Sequence, residues 1–308
     1  MKSRLIINPV SGSDSAPDYV EQIRGVLQPQ FGEIEVCTTE KAGDAKQFAA
    51  EAVREDCTHV FVAGGDGTLN EVLNGVAHTN CGLEQITFGL IPLGTGNDFA
   101  NAALFLPENV EQTLHILTQN KTIAVDVGLV NDYYFVNVSA GGFIAEVSDA
   151  VDPALKSIAG KFAYLIGGAQ VLFDFAPVET RLKLSYANGE VERRELDLQA
   201  FAVCNSKMVG GGRLIAPDAI IDDGLLDVCV FEASATLDFL TTLAQVAAGD
   251  HIGDQYVHYY RACAIEFEFA RAVKVNADGE VFVVRRCRYE LLPRAATFLT
   301  GTPPIEQI

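Results

Sequence analysis

The sequence predicts an α/β lobe built on a doubly wound parallel sheet, followed by a second lobe that is mostly β. The first third alternates short β-branched runs with stretches of helical period. The later parts carry period-2 segments joined by Asn-Gly and Asp-Gly turns. The 308 residues are also about twice the usual ~150 of a single domain. Hydrophobic residues at 49% and charged residues at 20% can fill sizeable cores, which excludes intrinsic disorder and a collagen-like repeat.

Residues 5–7 form an apolar run that ends at Asn8-Pro9 and reads as the first strand. A helix around 19–27, a strand at 34–37, a helix around 45–54 and a strand at 59–63 complete a β-α-β-α-β series. A helix near 69–76 leads to a strand at 86–91 and to helices near 98–104 and 110–118. In a parallel sheet of this kind the functional loops lie at the carboxyl ends of the strands. From about Lys121 the texture becomes extended. Residues 181–186 and 191–198 flank Asn188-Gly189, a dipeptide that favours a type I′ turn. An amphipathic insertion at 154–173 and an apolar helix candidate near 237–248 interrupt the strands. Residues 264–269 and 272–275 alternate before Asp278-Gly279 turns the chain into 281–284, and these segments read as strands of a sandwich or barrel. The division expected is 1–125, 126–292, and a C-terminal segment 293–308 that returns to the first lobe. No low-complexity linker separates the lobes, so the cleft between them is the default ligand site.

With 22 basic and 41 acidic residues the net charge is −19, a field that repels nucleic acid and anionic lipid over most of the surface. Nucleic acid is therefore not the expected partner, and a membrane would need a local basic patch. Seven cysteines, odd in number and without a CxxC pair, fit neither a disulfide framework nor a zinc site, and point to a reducing cytoplasm. The five histidines have no metal-ligand spacing. No signal peptide is read at the N-terminus, and no uncharged stretch reaches the ~18 residues of a membrane span. The expectation is a soluble chain, at most peripheral at a membrane.

The sharpest motif is Gly64-Gly65-Asp66-Gly67-Thr68-Leu69-Asn70-Glu71, at the end of a strand and the start of a helix. Its glycines let backbone amides form an anion nest at the positive end of a helix dipole, for which phosphate is the natural guest. It is neither a Walker A loop nor a GxGxxG fingerprint. A tight turn capped by Asp66 stays open as the plainer reading. Pro92-Leu93-Gly94-Thr95-Gly96-Asn97-Asp98 is a second such loop, with an ordinary cap at Asn97 or Asp98 as its plain alternative, and Asn8-Pro9-Val10-Ser11-Gly12 is a third and weaker one.

Taken with Thr39-Glu40, Gly43-Asp44-Ala45, Asp126-Val127-Gly128, Gly210-Gly211-Gly212, Ala216-Pro217, the run 222–227 and Asp278-Gly279-Glu280, these motifs resemble the diacylglycerol kinase catalytic-domain family, which includes bacterial lipid kinases and sphingosine kinases. The glycine loop alone would also suit NAD kinases and phosphofructokinases; the late motifs single out this family. The resemblance implies a nucleotide-binding α/β lobe, a β-sandwich lobe, ATP in the cleft, and phosphoryl transfer to a lipid hydroxyl, with diacylglycerol as first choice. It implies that Asn8, Pro9, Val10, Ser11, Gly12, Thr39, Gly64, Gly65, Asp66, Gly67, Thr68, Leu69, Asn70 and Thr95 hold the nucleotide. Glu280, with Asp278 beside it, is the implied proton acceptor, and Asp66 and Asp98 are the implied organisers of a catalytic Mg²⁺.

Because the glycine loops contain no lysine or arginine, that ion would neutralise more of the triphosphate than in a Walker A site. The resemblance further implies a structural Mg²⁺ held by Ile220, Asp223 and Leu225, against the plain reading of a solvated turn. The chain departs from the family where Ser13-Asp14-Ser15 follows Gly12 in place of a basic residue. This leaves Lys156 and Lys161 as the candidates for bilayer contact, against a core-packed helix with solvated lysines. Other lipid acceptors such as phosphatidylglycerol or a sphingoid base, a soluble-substrate kinase related to NAD kinase, a non-catalytic nucleotide sensor and a homodimer all stay open.

Overall fold

A computed structural model describes residues 1–11, 19–150 and 175–303. Gly12, the Ser13–Ser15 departure, the 154–173 insertion with Lys156 and Lys161, and residues 304–308 lie outside the described residues.

Strand β1 (Lys2–Ile7) lies between β2 (Glu33–Thr38) and β3 (His59–Gly64), and β4 (Thr87–Pro92) follows β3, all parallel. Leu5, Ile6, Ile7, Val60, Phe61, Val62 and Ala63 are fully buried, the continuous apolar runs of a sheet covered on both faces. Helices α1 (Val20–Phe31), α2 (Asp44–Arg54), α3 (Asp66–Ala77), α4 (Gly82–Gln85), α5 (Asp98–Ala102) and α6 (Val110–Leu117) complete the lobe. Gly75 fixes the approach of α2 to α3: a Cβ there would stand 2.2 Å from the Lys46 carbonyl oxygen. The expected β-α-β order and the start of a helix at each glycine loop are both present.

The second lobe is a sandwich of β5 (Thr122–Val130), β6 (Tyr133–Phe135), β7 (Val138–Gly142), β8 (Val178–Ser185), β9 (Val191–Cys204), β12 (Leu226–Glu232), β13 (Val257–Ala262), β14 (Ala264–Ala277) and β15 (Glu280–Leu299). The long strands β9 and β14 each pair with β8 along one half and with β7 along the other, which carries them from one layer into the other. Phe201 stacks on Phe267 with ring centroids 4.3 Å apart inside this core. A second core lies under α7 (Phe143–Ala150) and α8 (Thr236–Ala248), where Phe143 meets Phe239. A short hairpin, β10 (Met208–Val209) and β11 (Arg213–Leu214), carries the triple-glycine turn.

Two sequence expectations change. The Asn188-Gly189 hairpin is not type I′, because Asn188 does not take a positive φ; its side chain accepts the Glu190 amide, and Gly189 alone turns left-handed at φ +85°. The type I′ turn is at Asp278-Gly279, with φ +45° and +103° between the paired residues Ala277 and Glu280. The strand expected at 281–284 is the start of a 20-residue strand, β15. This strand pairs with β14 in the sandwich, with β5 from Tyr289 to Leu299, and in parallel with β4 of the first lobe at Thr297–Phe298. Pro293 and the left-handed Arg294 lie in an irregular stretch of the β5 pairing and disguise that continuity in the sequence.

Candidate active site

The carboxyl ends of β1, β3 and β4 carry the three loops singled out by the sequence. The two glycine-rich loops face each other at backbone distance. A Cβ on Gly94 would lie 2.5 Å from Gly65 Cα and 2.8 Å from Asn97 Oδ1, so only hydrogen fits there. Asn97 closes its own loop, accepting the Gly94 amide at 2.9 Å and donating to the Gly94 carbonyl at 2.6 Å. Gly94→Ala is expected to destabilise the protein by about 1–3 kcal/mol and weaken ATP binding together, since the loops must part. Thermal melts alongside ATP titration check this; an unchanged affinity would contradict it.

Asn8 donates to Thr68 Oγ1 at 3.1 Å and accepts the Val10 amide at 3.2 Å, and the Thr39 amide donates to the Ile7 carbonyl at 2.8 Å. These contacts border a cleft of about 510 Å³ whose walls include Asn8, Pro9, Val10, Thr39 and Thr68. Lys41 also lines it. The sequence reading, which looked for cations only in the glycine loops, missed this residue; its one signal was adjacency to Thr39-Glu40. The turn that presents Lys41 is held by Asp44 Oδ2, which accepts the Glu40 and Lys41 amides at 2.8 and 3.0 Å. Ser11 is the last described residue of the first loop, and its amide reaches the Asn8 carbonyl at 3.3 Å. Thr95 stands exposed in the second loop.

The Leu69 and Asn70 side chains turn inward from the loop. Leu69 is buried in the first lobe's core. Asn70, also buried, donates to the Tyr134 carbonyl at 3.1 Å. One helical turn on, Asn74 donates to the same carbonyl at 2.8 Å and accepts the Tyr134 amide at 3.0 Å. Two asparagines on α3 thus clasp the backbone of β6 and fasten the glycine-loop helix to the other lobe. Asn74 was not found by sequence reasoning, because a buried asparagine one turn past the motif looks like any helix residue.

Three carboxylates converge from both lobes. Asp66 accepts the Asp98 and Phe99 amides at 3.2 and 3.4 Å. Burial, then the negative charges of Asp98 and Asp278, push its carboxyl up to about 6. Asp98, 5% exposed, accepts the amides of Gly211 and Gly212 from the second lobe at 3.0 and 2.7 Å. Asp278 accepts the amides of Val136, Asn137 and Val138 at 2.8, 3.0 and 2.8 Å. Burial raises its carboxyl against those three amides, which lower it. With its oxygens committed this way, Asp278 is a strut for the 136–138 segment. Glu280 is exposed just past the turn, where a Cβ on Gly279 would lie 3.8 Å from Gly67 Cα. The hairpin tip therefore leans on the first glycine loop.

A Cβ on Gly96 would lie 3.3 Å from Asp66 Oδ2 and 3.6 Å from Asp98 Oδ2, so both oxygens face one space. Two hard oxygens facing one space fit Mg²⁺, which takes one or two carboxylates and completes its shell with phosphate and water. The Ile220, Asp223 and Leu225 set does not fit. Asp223 Oδ1 accepts the Leu225 amide at 3.0 Å, and Oδ2 is ion-paired with Arg261.

The raised Asp66 carboxyl has a consequence for stability. The folded state keeps this proton to about 6 and the unfolded state only to the ordinary 3.8, so Asp66 makes folding less favourable as pH rises through that window. Asp66→Asn is expected to melt above the wild type at about pH 7 and to lose that advantage toward about pH 4. Melting curves of both proteins across that range check it, and a pH-independent difference would contradict it.

Two glycine loops facing each other, a carboxylate pair between them and an acidic hairpin overhead make up the candidate site. Residues 2–130 match the diacylglycerol kinase catalytic domain, and residues 137–300 match the YegS C-terminal NAD kinase beta sandwich-like domain. The chain belongs to the diacylglycerol kinase catalytic-domain family of lipid kinases. It is 31% identical over 279 residues to a diacylglycerol kinase of Bacillus subtilis, covering 91% of this chain and 89% of that one. It is 29% identical over 298 residues to a Shewanella frigidimarina protein named "Probable lipid kinase YegS-like", covering 96% and 93%. A crystal structure of a diacylglycerol kinase from Bacillus anthracis superposes with a TM-score of 0.77 at 26% identity, covering 97% of each chain.

Proposed function

We propose that this lipid kinase transfers the γ-phosphoryl group of ATP to the hydroxyl of diacylglycerol, giving phosphatidic acid. The observation that carries the reading is the hairpin tip resting on Gly67, which brings Glu280 to the loops where the terminal phosphate would lie. The cleft lined by Asn8, Pro9, Val10, Thr39 and Thr68 takes the nucleotide, with Lys41 at its wall for phosphate charge. The amides of the glycine loops receive the phosphates, the preorganised positioning that phosphoryl transfer chiefly requires. Mg²⁺, when held by Asp66 and Asp98, supplies neutralisation of the charge on the transferring group. Glu280 accepts the lipid hydroxyl proton as the new O–P bond forms, the bond from the γ-phosphorus to the bridging oxygen breaks, and ADP leaves with the electron pair.

The family and the names of its curated members support diacylglycerol as the acceptor. Among the described residues no helix is long and apolar enough to cross a membrane; in this reading the lipid is met by peripheral contact at the membrane surface. The test is transfer of labelled γ-phosphate to mixed micelles of diacylglycerol, phosphatidylglycerol, sphingoid base or total lipid extract, with NAD in a parallel tube. Labelled phosphatidic acid made by the wild type and lost in Glu280→Gln supports the reading. Label in another lipid corrects the acceptor, and label in NADP overturns the lipid assignment.

A further inference from the structure

The segment from Ile220 to Leu225, for which the family resemblance implied a structural divalent ion, is held by protein groups at each of its carboxylates. Asp126, the fully buried residue beneath it, donates its amide to the Ile221 carbonyl at 2.8 Å. Its Oδ2 accepts the Gly224 amide at 2.7 Å and its Oδ1 the Arg294 amide at 2.6 Å. Arg294 turns back on the loop, with Nε and Nη2 each 3.3 Å from Asp222 oxygens.

Arg261 does more. It sits on β13 directly opposite Asp227 of β12. Its Nη2 pairs with Asp223, and its Nε lies 3.4 Å from Asp227 Oδ1. Asp227 is fully buried; its Oδ1 accepts the Tyr259 hydroxyl at 2.5 Å, and its Oδ2 has no hydrogen-bond partner. One guanidinium therefore serves two carboxylates, one of them sunk in the protein. A buried carboxylate carries a large desolvation penalty unless it is paired. The planar guanidinium fork can meet two acceptors at once, which a lysine ammonium on its flexible stem does less well.

We propose that the Arg261 guanidinium is the resident cation of this loop, so that the segment from Ile220 to Leu225 keeps its fold without a divalent ion. The reading is independent of the phosphoryl acceptor and of any ion at Asp66 and Asp98. The test uses the full chain without nucleotide in an Asp66→Asn background, which removes the competing carboxylate pair. Melting temperatures are compared in excess EDTA and in millimolar MgCl₂, with metal analysis after desalting.

Arg261 intact should melt at the same temperature in both and retain no stoichiometric magnesium. Arg261→Gln should melt lower in EDTA by about 4 °C or more, and MgCl₂ should restore part of the loss, because Asp223 and Asp227 then share no cation. A fall in EDTA with Arg261 intact, or one magnesium retained per chain, would overturn the proposal. So would an Arg261→Gln protein that melts like its parent, or one whose loss MgCl₂ leaves untouched, since the guanidinium would then act by packing and not by charge. If Arg261→Gln does not fold, the EDTA comparison and the metal analysis on the protein with Arg261 intact decide alone.

Discussion

Replacing Glu280 by glutamine is expected to lower kcat by about 10²–10⁴-fold, the usual worth of a general base. The KM for ATP should stay within a few-fold of the wild type, because Glu280 lies outside the residues that line the nucleotide cleft. The side chain is exposed at the hairpin tip, so the melting temperature should not move. Steady-state kinetics on micellar diacylglycerol, with an ATP titration and a thermal melt of the same preparations, separate these effects. A Glu280→Gln enzyme that keeps wild-type kcat would remove Glu280 from the scheme and leave the proton acceptor to another group.

Asp278→Ala is expected to cost both stability and turnover, although Glu280 remains. Three backbone amides, of Val136, Asn137 and Val138, lose their acceptor. Leaving buried donors unpaired costs about 1–3 kcal/mol each, less where water can replace the carboxylate. A melting temperature lower by several degrees follows. Turnover should fall by about 10²-fold, the order that a displacement of about 1 Å costs in a positioned site. The combination distinguishes a strut from a base: Glu280→Gln should lose kcat at constant melting temperature, and Asp278→Ala should lose both. If Asp278→Ala proved as stable as the wild type, the three amides would not depend on that carboxylate.

The parallel sheet and its glycine loops were legible because local pattern and global fold agree there. The buried runs of β3 and β4 end in turns whose glycines pack so closely that a Cβ on Gly94 would lie 2.5 Å from Gly65 Cα. Asp66 and Asp98, singled out from those same loops, turn carboxylate oxygens into one space beside Gly96. What escaped was long-range. Asn70 and Asn74 both reach Tyr134, 60 or more positions away in the chain. Asp278, read as a partner of its neighbour Glu280, answers to the amides of 136–138. Arg261 could not be connected with Asp223 because strand pairing supplies the proximity. The Asn-Gly turn was misread because a side-chain bond to the Glu190 amide keeps Asn188 out of the left-handed region that the dipeptide statistics favour.

The path of β15 sets the order in which this protein can be completed during its synthesis. The first lobe's sheet takes its edge beyond β4 from Thr297 and Phe298, and β5 pairs with the same strand from Thr122 onward. A ribosome that has released residues 1–125 has made every loop of the nucleotide cleft, yet the strand that flanks β4 is some 170 residues from being translated. At roughly 5–20 residues per second the early lobe waits on the order of ten seconds or more with that edge unpaired. Translation thus finishes the first lobe last, and a nascent chain stopped before Thr297 exposes the edge of β4 to other strands, the situation in which β-sheets recruit the wrong partner.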